Sequence, residues 1–69
     1  MKLIVERWVE SFDEEMGEKV LRIAEEKEVK DEEEAQKVAE EMKSLPDTAM
    51  VTLHYCYHNE GKPCKRIEL

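Results

Sequence analysis

The sequence predicts an α+β fold in the order β-α-α-β-β, with a three-stranded antiparallel sheet (order 1-2-3) and two helices on one face of it. Three observations support this prediction. Two alternating runs flank a glycine-containing turn near the end of the chain, two central segments carry apolar residues at helical spacing, and the first ten residues are rich in β-branched and aromatic residues. The 69 residues predict one small domain, residues 1–69, because a chain of this length buries only about 60% of its unfolded surface.

The first predicted strand covers residues 2–10. As a strand, it places Leu3, Val5 and Val9 on one face and Ile4 and Trp8 on the other. The alternative is a single helix over residues 2–28, which would give an α-α-β-β order. The strand is favoured because β-branched and aromatic residues dominate the segment, and because a hairpin without a third strand is marginally stable.

The first predicted helix covers residues 12–28. Ser11 and Glu14 have the spacing of an S-x-x-E capping box, which marks a helix start. Apolar residues then recur at helical spacing, at Phe12, Met16, Val20 and Ile23.

The second predicted helix covers residues 32–44. Asp31 and Glu34 provide its start signal, and Pro46 ends it. One stripe carries Ala35, Val38, Ala39, Met42 and Leu45. Because two consecutive helices reverse the chain twice, we expect the first strand to run antiparallel to the second.

The predicted hairpin pairs residues 49–57 with residues 62–69. If His58 faces Lys62, polar and apolar residues separate onto opposite faces, whereas a two-residue turn at Glu60 and Gly61 mixes them. The first register needs a left-handed residue in its three-residue turn, which Gly61 supplies. Its polar face carries Thr52, His54, Cys56, His58, Lys62, Cys64, Arg66 and Glu68. Pro63 cannot donate to a ladder, so we expect the last strand to lie at an edge.

Composition excludes several classes of function. The net charge is −7, and the 11 basic residues are interleaved with 18 acidic ones, so we expect no binding to nucleic acid or to anionic membranes. The sequence has no apolar run long enough for a membrane span or a targeting signal, so we expect a soluble protein that is either cytoplasmic or has no cellular location that applies. Catalytic and phosphate-binding motifs are absent, so we expect neither enzymatic activity nor a cofactor.

The hairpin holds the only cluster of side chains with metal-ligand chemistry. The predicted register sets Cys56 across from Cys64, with His54 and His58 on the same face. The two histidines are separated by about 13–14 Å at 3.4 Å per residue, so all four side chains cannot easily reach one ion. Cys56, Cys64 and one histidine (His54 or His58) remain a possible zinc site. A Cys56–Cys64 disulfide is a further possibility, although opposed strand residues are more widely spaced than a disulfide prefers.

Protein binding is the leading functional prediction. If the helices cover the Leu3 face of the first strand, Ile4 and Trp8 lie on the open face beside His54 and His58. An aromatic anchor among polar groups is typical of protein-binding hot spots. The sequence therefore predicts a non-enzymatic binding module or scaffold that uses the open sheet face or edge, with a small zinc-binding protein as the alternative. Charges on the first strand, at Glu6, Arg7 and Glu10, would protect its edge, so we expect a monomer.

The whole chain resembles idealised, computationally designed α/β miniproteins in composition. Each predicted helix has a start signal, the hairpin has its glycine, and surface positions are mostly Glu and Lys. Proteins of hyperthermophiles share the enrichment in Glu and Lys. The resemblance rests on no family motif and implies no particular activity.

Overall fold

A computed structural model describes residues 1–57 and 60–69. Over this part of the chain the fold has four strands and one helix: β1 (Lys2–Asp13), β2 (Glu18–Val29), α1 (Glu32–Lys43), β3 (Thr48–Cys56) and β4 (Lys65–Glu68). All neighbouring strands are antiparallel, and their order in the sheet is β2-β1-β3-β4.

The predicted β-α-α-β-β fold is wrong, because residues 12–28 do not form a helix. They complete β1, turn, and return as β2, which also rules out the alternative helix over residues 2–28. The Asp13 carboxylate accepts hydrogen bonds from the backbone N–H groups of Glu15 and Met16, at 3.0 and 3.4 Å. Gly17 adopts a left-handed φ of 68° and donates its N–H to the Asp13 carbonyl at 2.8 Å. These contacts reverse the chain where the sequence indicates a helix start.

The apolar spacing of β2 is compatible with either a helix or this strand. The β1–β2 register shifts between Arg7 and Trp8, so that Ile23 lies opposite Trp8 on the same face. Such a bulge changes which residues share a face, so a simple period-two pattern is lost from the sequence. Most β2 side chains are exposed, and pairing with β1 therefore decides their conformation.

The prediction of the second helix is confirmed. The Asp31 carboxylate caps α1 by accepting the N–H of Glu34 at 2.8 Å, and Glu34 in turn accepts the N–H of Lys30 at 3.4 Å. The helix ends at Lys43 with Ser44 as its C-cap, one residue before the predicted end. Its buried stripe consists of Ala35, Val38, Ala39 and Met42. Leu45, which the sequence also predicts on this stripe, lies beyond the end of the helix and is exposed.

The predicted hairpin register is confirmed in the described residues. Leu53 pairs with Ile67 and Tyr55 with Lys65, which is the pairing that sets Cys56 across from Cys64. The second strand is shorter than the predicted 62–69, and β4 does lie at an edge of the sheet. The predicted turn residues His58 and Asn59 lie outside the described residues.

The helix packs on one face of the sheet and leaves the other face open. The buried core contains Leu3, Val5, Val29, Ala35, Val38, Ala39, Met42, Val51 and Leu53. Glu6, Trp8 and their neighbours on β3 and β4 face away from it, because side chains alternate along a strand. The helix in the described part of the chain, α1, is not long and apolar enough to cross a membrane.

Candidate metal centre

Three side chains with metal-ligand chemistry converge on the open face of the β3–β4 hairpin. His54 and Cys56 are two residues apart on β3 and therefore point to the same side. Cys64 precedes β4 and lies across from Cys56, with the two sulfur atoms 3.9 Å apart. The potential ligand atoms of His54, Cys56 and Cys64 all lie within 4.8 Å of one another.

The separation of the sulfur atoms is compatible with two thiolates bound to one metal ion. Zinc holds sulfur at about 2.3 Å in a tetrahedral arrangement, which separates two sulfur ligands by about 3.8 Å. A disulfide would require a separation of about 2.05 Å, so the two sulfur atoms are not covalently joined in this structure.

The site is accessible from solvent. His54 and Cys56 are half-buried, while Cys64 is exposed. Three protein donors would leave one position of a tetrahedral ion for water or for another ligand. Of the two histidines predicted as alternative ligands, the structure brings His54 to the cysteines, and His58 lies outside the described residues.

Beside His54, the same face holds a buried carboxylate. The Glu6 side chain is only 3% exposed. Arg66 donates from Nε to Oε1 at 2.7 Å and from Nη2 to Oε2 at 2.9 Å, and the Thr52 hydroxyl donates to Oε1 at 2.9 Å. The Nδ1 atom of His54 lies 3.6 Å from Oε2. Throughout the described residues, every buried polar side-chain atom has a hydrogen-bond partner.

These contacts keep Glu6 ionised despite its burial. Burial alone would raise the pKa of the carboxyl group, but the hydrogen bonds from Arg66 and Thr52 outweigh it and lower the pKa below its ordinary value. The same pair raises the pKa of Arg66, chiefly through its hydrogen bonds to Glu6. The pair therefore holds an ionised carboxylate, with Oε2 3.6 Å from Nδ1 of His54.

The residues predicted to form a protein-binding face lie near this network. Trp8 and Ile4 are half-buried on the open face, and Ile4 pairs with His54. The indole N–H of Trp8 donates to the Thr52 hydroxyl at 2.8 Å, and the guanidinium of Arg66 lies 5.5 Å from the ring centroid. Trp8 is thus engaged within the chain.

Sequence reasoning missed the role of Glu6, which we expected to protect an exposed strand edge. In the structure β1 is central, with β2 on one side and β3 on the other, so Glu6 does not lie at an edge. Glu6 shares the open face with Trp8 and pairs with Thr52 on β3. Thr52 in turn pairs with Glu68 on β4, two residues after Arg66. The alternation along β1 places Glu6 beside Trp8, but its partners depend on the β1–β3 register.

Comparison of the chain with protein-family models, with curated proteins and with solved structures finds no match.

Proposed function

We propose that this chain is a small metal-binding protein that holds one zinc-class ion through His54, Cys56 and Cys64. The observation that carries the proposal is the convergence of the three ligand atoms within 4.8 Å. One imidazole and two thiolates form a donor set that suits zinc, and soft thiolate ligands also suit Cu(I).

The charge of the protein supports cation binding. The chain has a net charge of −7, and a negative potential raises the local concentration of cations. The cysteines must lose their protons to bind, so metal binding should release protons and weaken in acid.

A bound ion would also connect a weakly secured part of the fold to a well-packed one. β4 has only four residues and lies at an edge, while β3 packs against the core. An ion that joins Cys64 to Cys56 and His54 would fasten the segment before β4 to β3. Binding to the native state alone stabilises it by about 2.7 kcal/mol when the free ion is at 100 times its Kd.

Titration with zinc and with Co(II) tests the proposal. We expect one ion per chain, thiolate-to-cobalt absorption bands, and a higher midpoint of thermal unfolding that chelator reverses. Cys56→Ser, Cys64→Ser and His54→Ala should each weaken binding at least about tenfold, since each removes a ligand. His58→Ala tests the other histidine that the sequence predicts as a ligand, and the proposal expects it to bind as the wild type does because His54 supplies the imidazole.

Two outcomes would contradict the proposal. One is the absence of stoichiometric binding to the reduced protein. The other is unchanged affinity in Cys64→Ser, which would mean that the ion binds elsewhere, for example to surface carboxylates.

A protein-binding module remains a second prediction, favoured by the length and exposure of β2 at the edge of the sheet. In the described part of the chain, β2 is an edge strand of 12 residues, and Leu21 on it is 44% exposed. An exposed edge can accept an added strand from a partner. Cys64→Ser separates the two functions, because it removes a metal ligand and leaves this edge intact.

Charges along β2 oppose pairing between copies of the chain. The strand carries charged side chains along most of its length, at Lys19, Arg22, Glu25, Glu26, Lys27 and Glu28. Charged residues on edge strands disfavour edge-to-edge association. We therefore expect a monomer, and sedimentation that gives a single dimer species would contradict this expectation.

A further inference from the structure

We infer that Glu6 is a positioning residue of the metal site: its carboxylate accepts the Nδ1 proton of His54 and so leaves the Nε2 lone pair available for the ion. The inference rests on the proposed metal-binding function for its consequence, but the proton arrangement can be tested without metal.

The Glu6 carboxylate has a fixed orientation. Arg66 donates to both of its oxygen atoms, and Thr52 donates to Oε1 only. Each carboxylate oxygen can accept about two hydrogen bonds, so Oε2, which receives one from Arg66 among these contacts, keeps acceptor capacity. Oε2 is also the oxygen that lies 3.6 Å from Nδ1 of His54.

The chemistry of the two groups determines which imidazole nitrogen carries the proton. A neutral imidazole has one N–H and one lone pair, whereas an ionised carboxylate can only accept. A carboxylate facing Nδ1 therefore favours the Nδ1–H tautomer. The present distance of 3.6 Å is about 0.6 Å longer than a usual hydrogen bond, so the inferred hydrogen bond requires the ring and the carboxylate to approach each other in solution.

Metal-binding histidines commonly donate their second ring nitrogen to a carboxylate, which fixes both tautomer and orientation. In this fold His54 is flanked by its pairing partners Ile4 and Arg66, and neither offers a side-chain acceptor. Among these described neighbours of His54, Glu6 is the one whose side chain can accept the Nδ1 proton.

The decisive measurement is ¹⁵N NMR of the His54 ring in metal-free, reduced protein at a pH where imidazole is neutral. We expect the Nδ1–H tautomer to dominate in the wild type. In Glu6→Gln the amide oxygen should turn toward Arg66, so that the NH₂ group faces His54 and favours the Nε2–H tautomer. Glu26→Gln, which makes the same charge change at the residue that pairs with Glu6 across β1 and β2, should leave the wild-type tautomer.

A predominant Nε2–H tautomer in the wild type would overturn the inference, and that measurement requires no variant to fold. An unchanged tautomer in folded Glu6→Gln would also overturn it.

Zinc affinity gives the functional consequence. Loss of such an outer partner typically weakens metal binding about 10–100-fold. We expect a loss of this size in Glu6→Gln and none in Glu26→Gln. If the wild type binds no zinc while His54 is the Nδ1–H tautomer, the proposed function fails and the positioning of His54 stands. If the wild type binds zinc and folded Glu6→Gln binds it equally well, the positioning role fails and the metal site stands.

Discussion

The sulfur atoms of Cys56 and Cys64 face each other at 3.9 Å across the β3–β4 hairpin. This distance allows two alternative states of the same pair. The two thiolates can share a metal ion, or they can move together and form a disulfide. Because both states use the same sulfur atoms, each excludes the other.

Oxidation should join these two thiols within one chain. With hydrogen peroxide as the oxidant, the thiols lose two hydrogens, the S–S bond forms, and the peroxide is reduced to two molecules of water. We expect mass spectrometry of the monomer to show a loss of about two daltons and no alkylatable thiol. The closed loop has about nine residues, so the chain-entropy model gives at most about 2–3 kcal/mol of added stability.

Cys64→Ser provides the control for this experiment, because its remaining thiol can only oxidise further or join a second chain. Bound zinc should slow the reaction in the wild type, since it occupies both thiolates. If two alkylatable thiols persist in the oxidised, metal-free wild type, the pairing of β3 with the segment before β4 is incorrect.

Removal of Arg66 should destabilise the fold more than removal of a neighbouring cation. Arg66→Met leaves the buried Glu6 carboxylate without its two charged hydrogen bonds, which typically costs about 2–3 kcal/mol. Lys65→Met is the matched control, because Lys65 is exposed and its ammonium group lies 5.8 Å from the centroid of the Tyr55 ring; its loss should cost less than about 1 kcal/mol. Urea unfolding measures both, and equal effects would contradict the role of Arg66.

Glu6 should make the stability of the metal-free protein depend on pH in acid. Burial would raise its folded-state pKa, but the hydrogen bonds from Arg66 and Thr52 lower that pKa below its ordinary value. The stabilisation is therefore fully present at pH values well above the ordinary pKa of a glutamate, and it is lost as the pH falls through the lowered folded-state pKa. Other carboxylates contribute as well, so the informative quantity is the difference between variants. Urea midpoints should fall less steeply with acid in Glu6→Gln than in Glu26→Gln, and parallel curves would contradict the assignment.

Local signals allowed α1 and the β3–β4 hairpin to be predicted from the sequence. Asp31 and Glu34 cap α1 with side chains that the sequence places next to it, and the β3–β4 register follows from the alternation of a single hairpin. The same register brought Cys56 and Cys64 together. In each case the residues that determine the structure are close together in the chain.

The remainder depends on contacts between distant segments. β2 buries little of its surface, its spacing also fits a helix, and a bulge near Trp8 obscures its alternation. Glu6 becomes a buried charge only because β3 and β4 bring Thr52 and Arg66 to it from 46 and 60 residues away. A single sequence contains no signal for such a pairing, so the Glu6 network could not be predicted.

The β1–β2 turn gives the sharpest test of the fold, because the strand and helix interpretations of residues 12–28 predict opposite effects for Gly17→Ala. In the structure Gly17 has a φ of 68°, and an added Cβ would meet nothing within 4 Å, so the cost arises from the backbone alone. A left-handed conformation should cost alanine about 1–2 kcal/mol. Within a helix, the same substitution would instead stabilise by about 1 kcal/mol.

We therefore expect Gly17→Ala to lower the free energy of unfolding by about 1–2 kcal/mol in urea denaturation, with little change in far-UV circular dichroism. Gly61→Ala is the matched control, because Gly61 has the same φ of 68° and open space around it in a turn that both interpretations share. Both variants should be destabilised to a similar extent. If Gly17→Ala is more stable than the wild type and more helical, while Gly61→Ala is destabilised, residues 12–28 form a helix and the four-stranded sheet is incorrect.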